Sequence, residues 1–190
     1  MVRIMTQEDF KHIWIQPLHR FLQITAIGER RLTGILYAYD SDRCHTMTHH
    51  MMFVHQLMNE HHVVSHGMAS IAVIGVENPG QPPFTNRSNL KKAMKGLNPD
   101  MFKILLSHDP HHWRREVVGK KIQLTLAGHT HAGQLKIGTW TPARMAFKEW
   151  GGAYRIGEQM LYVSSGIGGS FPFRLGAWPE LTVITLKRDL

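Results

Sequence analysis

Phe102-Lys103-Ile104-Leu105-Leu106-Ser107-His108-Asp109-Pro110 and Ile122-Gln123-Leu124-Thr125-Leu126-Ala127-Gly128-His129-Thr130-His131 decide how this chain folds. Each is an apolar run that ends in a polar turn carrying imidazole, the pattern of a buried strand leading into a loop. The segment between them is long enough for one helix, so the two strands can lie side by side in a sheet. In open α/β sheets, ligands bind at the carboxyl ends of the strands. His108, His129 and His131 would then meet at one edge, and neutral imidazole is the commonest protein ligand for transition metals. Gly-His-x-His alone is a weak signal, because loop histidines are often merely solvated. The preceding strand and the second strand-histidine turn at His108 raise it to a candidate metal site.

Working outward, Ser70-Ile71-Ala72-Val73-Ile74-Gly75-Val76 reads as a strand, and Glu77-Asn78-Pro79-Gly80 as the turn after it. Gln81-Pro82-Pro83-Phe84 reads as loop, since consecutive prolines remove backbone donors. Leu90, Ala93, Met94 and Leu97 share a helical face that Gly96 can end. Asp109 is placed to cap a helix with Pro110 in its first position, and Trp113 and Val117 would face the core. Further strands are predicted over 160–165 and 181–186. Alternating strands and helices give an α/β layered domain.

The 190 residues suffice for one domain with a sizeable core, and 43% hydrophobic content excludes a disordered chain. No run reaches the ~20 apolar residues of a membrane span, and MVRIMTQEDFKHIWIQ (1–16) lacks the apolar stretch of a signal peptide. The expected location is cytoplasmic or peripheral to a membrane, and not secreted. Cys44 stands alone, so no internal disulfide framework forms, and it reads as a small unreactive side chain. The formal charge is +8, with eight Lys/Arg against three Asp/Glu in residues 101–150. That window would draw anions toward the histidines; nucleic acid, anionic headgroups and small phosphate compounds all fit such a charge.

Residues 1–60 differ. Their periodicity is weak, although Phe10, Ile13 and Trp14 permit a helix over 7–16 capped by Thr6 and ended by Pro17. The stretch HTMTHHMMFVHQLMNEHH (45–62) is rich in His and Met, but its histidines lack strand-end placement and paired carboxylates.

The segment from about Asn59 to Leu190 resembles the C-terminal half of a calcineurin-like metallophosphoesterase, of the branch whose members are often membrane-tethered phosphohydrolases. The resemblance rests on VIGVENPGQPPF (73–84), FKILLSHDPHHW (102–113), LTLAGHTHAGQ (124–134), FKEWGGAY (147–154) and LYVSSGIGGSFPFRLGAWPELTVITL (161–186). It implies a four-layer αββα sandwich and a dinuclear centre of Mn, Fe or Zn that hydrolyses a phosphate mono- or diester. In such centres two ions ~3.5–4 Å apart polarise the phosphoryl oxygens and generate hydroxide. By the motif match, His108 and His129 would ligate one ion and His131 the other. Gly128 would allow the tight turn between strand and ligands. Ala132 stands where the family has a second Gly, which would stiffen the loop. The substrate would be a phosphate-ester small molecule, or a lipid-linked or nucleotide-sugar pyrophosphate such as UDP-2,3-diacylglucosamine.

The family pattern also contains Asp-x-His, Gly-Asp and Gly-Asn-His-Asp/Glu, which supply the bridging carboxylate, an Asn ligand and a group acting on the leaving oxygen. None of the three is found here, and Asp40-Ser41-Asp42 is the nearest acidic pair. Three neutral histidines leave two divalent charges nearly uncompensated, so at most weak single-metal binding is expected. The sequence therefore divides into 1–56, a divergent or mis-framed segment expected to pack poorly, and 57–190, the C-terminal part of a metallophosphoesterase domain whose N-terminal half is missing or divergent. Such a chain is expected to be weak or inactive alone, and no catalytic residue is assigned. The other reading is a non-catalytic basic module that binds nucleic acid or anionic surfaces.

Overall fold

A computed structural model of the chain describes residues 2–5, 32–35, 57–66, 69–80, 85–180 and 182–186. The helix expected over 7–16, the acidic pair Asp40/Asp42, Cys44 and most of the His/Met stretch lie outside these residues. In chain order the strands are β1 (Val2–Met5), β2 (Leu32–Ile35), β3 (Glu60–His66), β4 (Ala69–Gly75), β5 (Phe102–Leu106), β6 (Leu124–Ala127), β7 (Gly152–Ile156), β8 (Gln159–Val163) and β9 (Val183–Leu186). Two short α-helices accompany them, α1 (Leu90–Ala93) and α2 (Ala143–Ala146).

The strands form two sheets, one in each of two compact units. The first has the order β1-β9-β2, with β9 central and antiparallel to both neighbours, so that Leu186 faces Val2 on one side and Leu32 on the other. Strand 181–186 of the sequence reading thus begins at Val183 and pairs with two N-terminal strands. Those strands were not anticipated, because four residues are too short for a period of two to register.

The second sheet has the order β3-β4-β5-β6-β8-β7. Its centre is parallel, from β4 through β5 and β6 to β8, and its edges β3 and β7 are antiparallel. Central parallel strands are covered on both faces and therefore read as continuous apolar runs. All four residues of β6 and the middle three of β5 are buried. Ile74, Leu105, Leu124, Leu161 and Val163 are fully excluded from water, each contributing about 1.5–3 kcal/mol. The expected strands over 102–106 and 122–127 are β5 and, two residues shorter, β6; that over 160–165 is β8, shifted by a residue or two. β7 went unread, because its residues alternate between half-buried and exposed. It turns into β8 through Gly157 and Glu158, with Gly157 at φ +56°, the left-handed geometry that two-residue hairpin loops require.

The connections follow their capping chemistry. The Asn89 side chain accepts from Lys92 N at 2.8 Å to start α1, and the turn after it reaches Gly96 at φ +86°. Between β5 and β6, Asp109 Oδ1 accepts from His111 N at 2.9 Å, which caps the helical segment as the sequence predicted. That segment widens into a π turn over Trp113–Val117, where Val118 N donates to Trp113 O at 2.8 Å. Trp113 and Val117 are fully buried there against the sheet. Lys103, on β5, is also buried; its Nζ donates to Pro99 O and Met101 O at 2.8 and 2.7 Å. Burial lowers its pKa, against the opposing pull of Asp100. No helix among the described residues is long and apolar enough to cross a membrane.

Candidate metal centre

β5 and β6 are adjacent and parallel, in the register Leu106↔Leu126, so their carboxyl ends lie together. Each strand continues two residues into a turn, which brings His108 beside His129. Backbone hydrogen bonds lock the turns together: Ser107 N donates to Leu126 O at 3.0 Å, Gly128 N to His108 O at 3.1 Å, and Ser164 N, just past β8, to Ala127 O at 2.9 Å.

His108 Nε2 and His129 Nδ1 lie 3.0 Å apart, with the two rings edge to face and their centroids 4.9 Å apart. Both side chains are exposed. At that separation one ring nitrogen donates to the other, and the two imidazoles form a hydrogen-bonded pair at the strand edge. His131 sits at the same edge, its Nδ1 3.3 Å from the backbone oxygen of Ser165, just beyond β8. Among the described residues no group of three His, Cys, Asp or Glu side chains is arranged to hold an ion. The described part therefore presents an imidazole pair and does not make up a dinuclear centre.

The turn after β6 is backbone-strained. His129 has φ +67°, and His131, Ala132, Gly133 and Gln134 follow at +48°, +50°, +64° and +54°. Left-handed geometry in non-glycine residues costs of order 1 kcal/mol or more each and persists only where the surroundings enforce it. The enforcing bonds are Thr130 Oγ1 to Trp150 O at 2.6 Å, Thr141 Oγ1 to Ala132 O at 2.6 Å, and the buried Gln134 amide. The freedom expected of Gly128 is not what the turn uses. Gly128 is not a positive-φ position, and a Cβ there would meet Ser164 O at an ordinary 3.9 Å. Ala132, by contrast, is held where a glycine would be unstrained.

Three neighbours of the pair escaped the sequence reading. Phe147 packs between two imidazoles, stacked on His111 at 4.6 Å and edge-on to His129 at 5.4 Å. His111 Nδ1 lies 3.1 Å from Asp109 Oδ1, and its Nε2 3.1 Å from Ala146 O. Fully buried His112 bonds Ser107 Oγ through Nδ1 at 2.8 Å, while its Nε2 lies 3.4 Å from Glu116 Oε2. Burial lowers the His112 pKa, and the Glu116 carboxylate only partly offsets this. Phe147 lies 39 and 18 residues along the chain from the two turns, so no local spacing links it to them.

The sequence has relatives. It is 36% identical over 102 residues to a transmembrane protein with metallophosphoesterase domain from Bos taurus, a match covering 52% of this chain and 23% of that protein. It is 35% identical over 101 residues to an uncharacterized metallophosphoesterase of Bacillus subtilis, covering 50% of this chain and 34% of the relative. A phosphodiesterase of Escherichia coli is 31% identical over 109 residues, covering 56% and 36%. The chain thus spans well under half the length of each of these relatives. No protein-family profile and no solved structure matches it.

Proposed function

The chain is a relative of the metallophosphoesterases, and on that premise we propose that it carries the histidine part of a metal-dependent phosphoesterase site that cleaves a phosphate mono- or diester. The observation that carries the reading is the 3.0 Å approach of His108 Nε2 and His129 Nδ1 at the carboxyl edge of adjacent parallel strands. His108 and His129 would hold one divalent ion, Mn, Fe or Zn, and His131 a second. A bound ion of this kind polarises a phosphoryl oxygen and makes hydroxide available near neutral pH. The four-layer sandwich belongs to the same reading, supported by the presence of two sheets in one chain.

The protein's own part is positional and electrostatic. The backbone bonds between the three strand ends fix the imidazoles, and Phe147 walls one side of His129. Arg144 and Lys148 are exposed cations in the window that carries the turns and favour an anionic substrate, whereas Arg114 and Arg115 pair with Glu149 and Glu116. A phosphate-ester small molecule or a lipid-linked or nucleotide-sugar pyrophosphate suits that field. On this reading three imidazoles alone, with no carboxylate beside them, hold a divalent ion weakly.

The test is to measure Mn²⁺ and Zn²⁺ binding by calorimetry, and turnover of an aryl phosphate and a bis-aryl phosphate, for the chain and for His129→Ala. Weak binding and slow turnover, both lost in the variant, support the reading. Binding and turnover that survive His129→Ala refute it.

A further inference from the structure

The three edge histidines differ in what their ring nitrogens face. His108 Nε2 and His129 Nδ1 face each other, and either can be the donor. His131 Nδ1 faces the backbone oxygen of Ser165 at 3.3 Å. A carbonyl oxygen only accepts, so His131 Nδ1 carries the hydrogen and the lone pair of the neutral ring falls on Nε2. Histidines that ligate a metal are commonly arranged in this way, with one nitrogen donating to a carbonyl or carboxylate and the other turned to the ion.

The Ser165 oxygen is itself held. The half-buried Arg174 donates to it from Nη2 at 2.9 Å, and from Nη1 to Ala177 O at 2.9 Å. A guanidinium stays charged at all ordinary pH and carries its donors in a rigid plane. Bonds from such a donor are roughly twice as strong as those between neutral groups. Ser165 is tied from other directions as well. Its Oγ donates to Trp178 O at 3.2 Å, and Ser164 N, just before it, donates to Ala127 O at 2.9 Å.

These bonds close a circuit on the histidine loop. Leu175, the residue after Arg174, donates from N to Gln134 O at 2.9 Å and accepts on O from Lys136 N at 2.8 Å. The chain that runs on from His131 is therefore bonded to the segment that carries Arg174. Gly176, at φ +68°, permits the approach, because a Cβ there would overlap Lys136 O. Within this circuit the His131 backbone is kept at φ +48°.

We propose that Arg174 is a positioning residue for His131. It holds Ser165 O where His131 Nδ1 donates to it, and so fixes both the tautomer and the orientation of the ring. The use of Nε2 as a metal ligand rests on the phosphoesterase reading; the tautomer does not. A clamp that served only the backbone of the loop, through Ala177 O, would leave the tautomer indifferent to Arg174.

The experiment is long-range proton–nitrogen NMR of the full chain labelled with nitrogen-15 histidine, in EDTA at about pH 8, above the ordinary imidazole range. The His131 signals are identified by their loss in His131→Gln. The two neutral tautomers differ in their nitrogen shifts, and the native ring is expected in the Nδ1–H form. Arg174→Met, checked for its fold by circular dichroism, offers no donor to Ser165 O and is expected to admit the Nε2–H form. Arg174→Lys keeps one donor and is expected to retain the native tautomer. Calorimetric titration with Zn²⁺, after removal of the EDTA, is expected to show affinity about tenfold weaker in Arg174→Met, with Arg174→Lys closer to the native chain. A native His131 in the Nε2–H form overturns the proposal without recourse to any variant. So does a folded Arg174→Met in which the tautomer is unchanged. A native Nδ1–H ring that Arg174→Met loses, in a chain that binds no Zn²⁺, supports the positioning and refutes the metal reading instead.

Discussion

His108 Nε2 and His129 Nδ1 approach to 3.0 Å across the ends of two neighbouring parallel strands, although 21 residues separate them in the chain. Groups that share one ion are energetically coupled, and losses from them do not add. Each single variant, His108→Ala and His129→Ala, should weaken Zn²⁺ affinity by about tenfold or more, and the double variant should lose little beyond the worse single. Calorimetric titration of the four proteins closes the cycle. Strictly additive losses would show that the two imidazoles serve separate ions.

Phe147 packs between His129 and His111. Aromatic pairs of this kind contribute ~0.5–1.5 kcal/mol. Phe147→Ala should therefore lower Zn²⁺ affinity about three- to tenfold although no ligand is removed, and Phe147→Tyr should restore most of it. An affinity that falls equally in both variants would mean that the ring does not act as a wall.

The difference between what could and could not be read in the sequence has physical causes. β5 and β6 were legible because strands covered on both faces must be apolar throughout, and Asp109-Pro110 was legible because capping is local. β7 was not, since an edge strand need bury little. The His108–His129 approach followed from two strand ends, whereas the Ser165 carbonyl beside His131 and the ring of Phe147 reach the edge through tertiary packing that no spacing encodes. Gly128 misled for a related reason: the strain sits at His129 and Ala132, where side chains other than glycine are held left-handed by their neighbours.

Gln134 is 3% exposed and makes four hydrogen bonds to the backbone of Ser170, Phe171 and Phe173. At about 1 kcal/mol net per bond, Gln134→Ala should cost roughly 4 kcal/mol of stability. Gln134→Glu separates donors from acceptors. It keeps an oxygen for the two backbone N–H groups but turns the other atom into an acceptor facing two carbonyls, and it should destabilise at least as much as alanine at neutral pH. Urea unfolding of the three proteins checks the order. A glutamate variant as stable as the native chain would show that the donated bonds contribute nothing.

His112 makes the stability of the fold depend on pH, and the sign follows from its burial. The ring is fully excluded from water, and desolvation holds its pKa below the ordinary 6.5 against the weaker pull of Glu116. Above about pH 6.5 the ring is neutral whether the chain is folded or unfolded, and its contribution is fully present. As the pH falls below that value the unfolded chain takes up the proton first, so the unfolded state gains free energy that the native state does not match. Stability is lost from about pH 6.5 down to the lowered folded-state pKa, at a slope of at most about 1.4 kcal/mol per pH unit from this one group. The chain has 14 histidines, so the comparison must isolate this one. His112→Asn keeps a polar partner for Ser107 and removes the titration. Urea midpoints measured from pH 7.5 to 5.5 should fall more steeply for the native chain than for His112→Asn, although the variant is the less stable of the two at pH 7.5. Equal slopes would show that the buried ring takes up its proton as readily in the fold as in the unfolded chain.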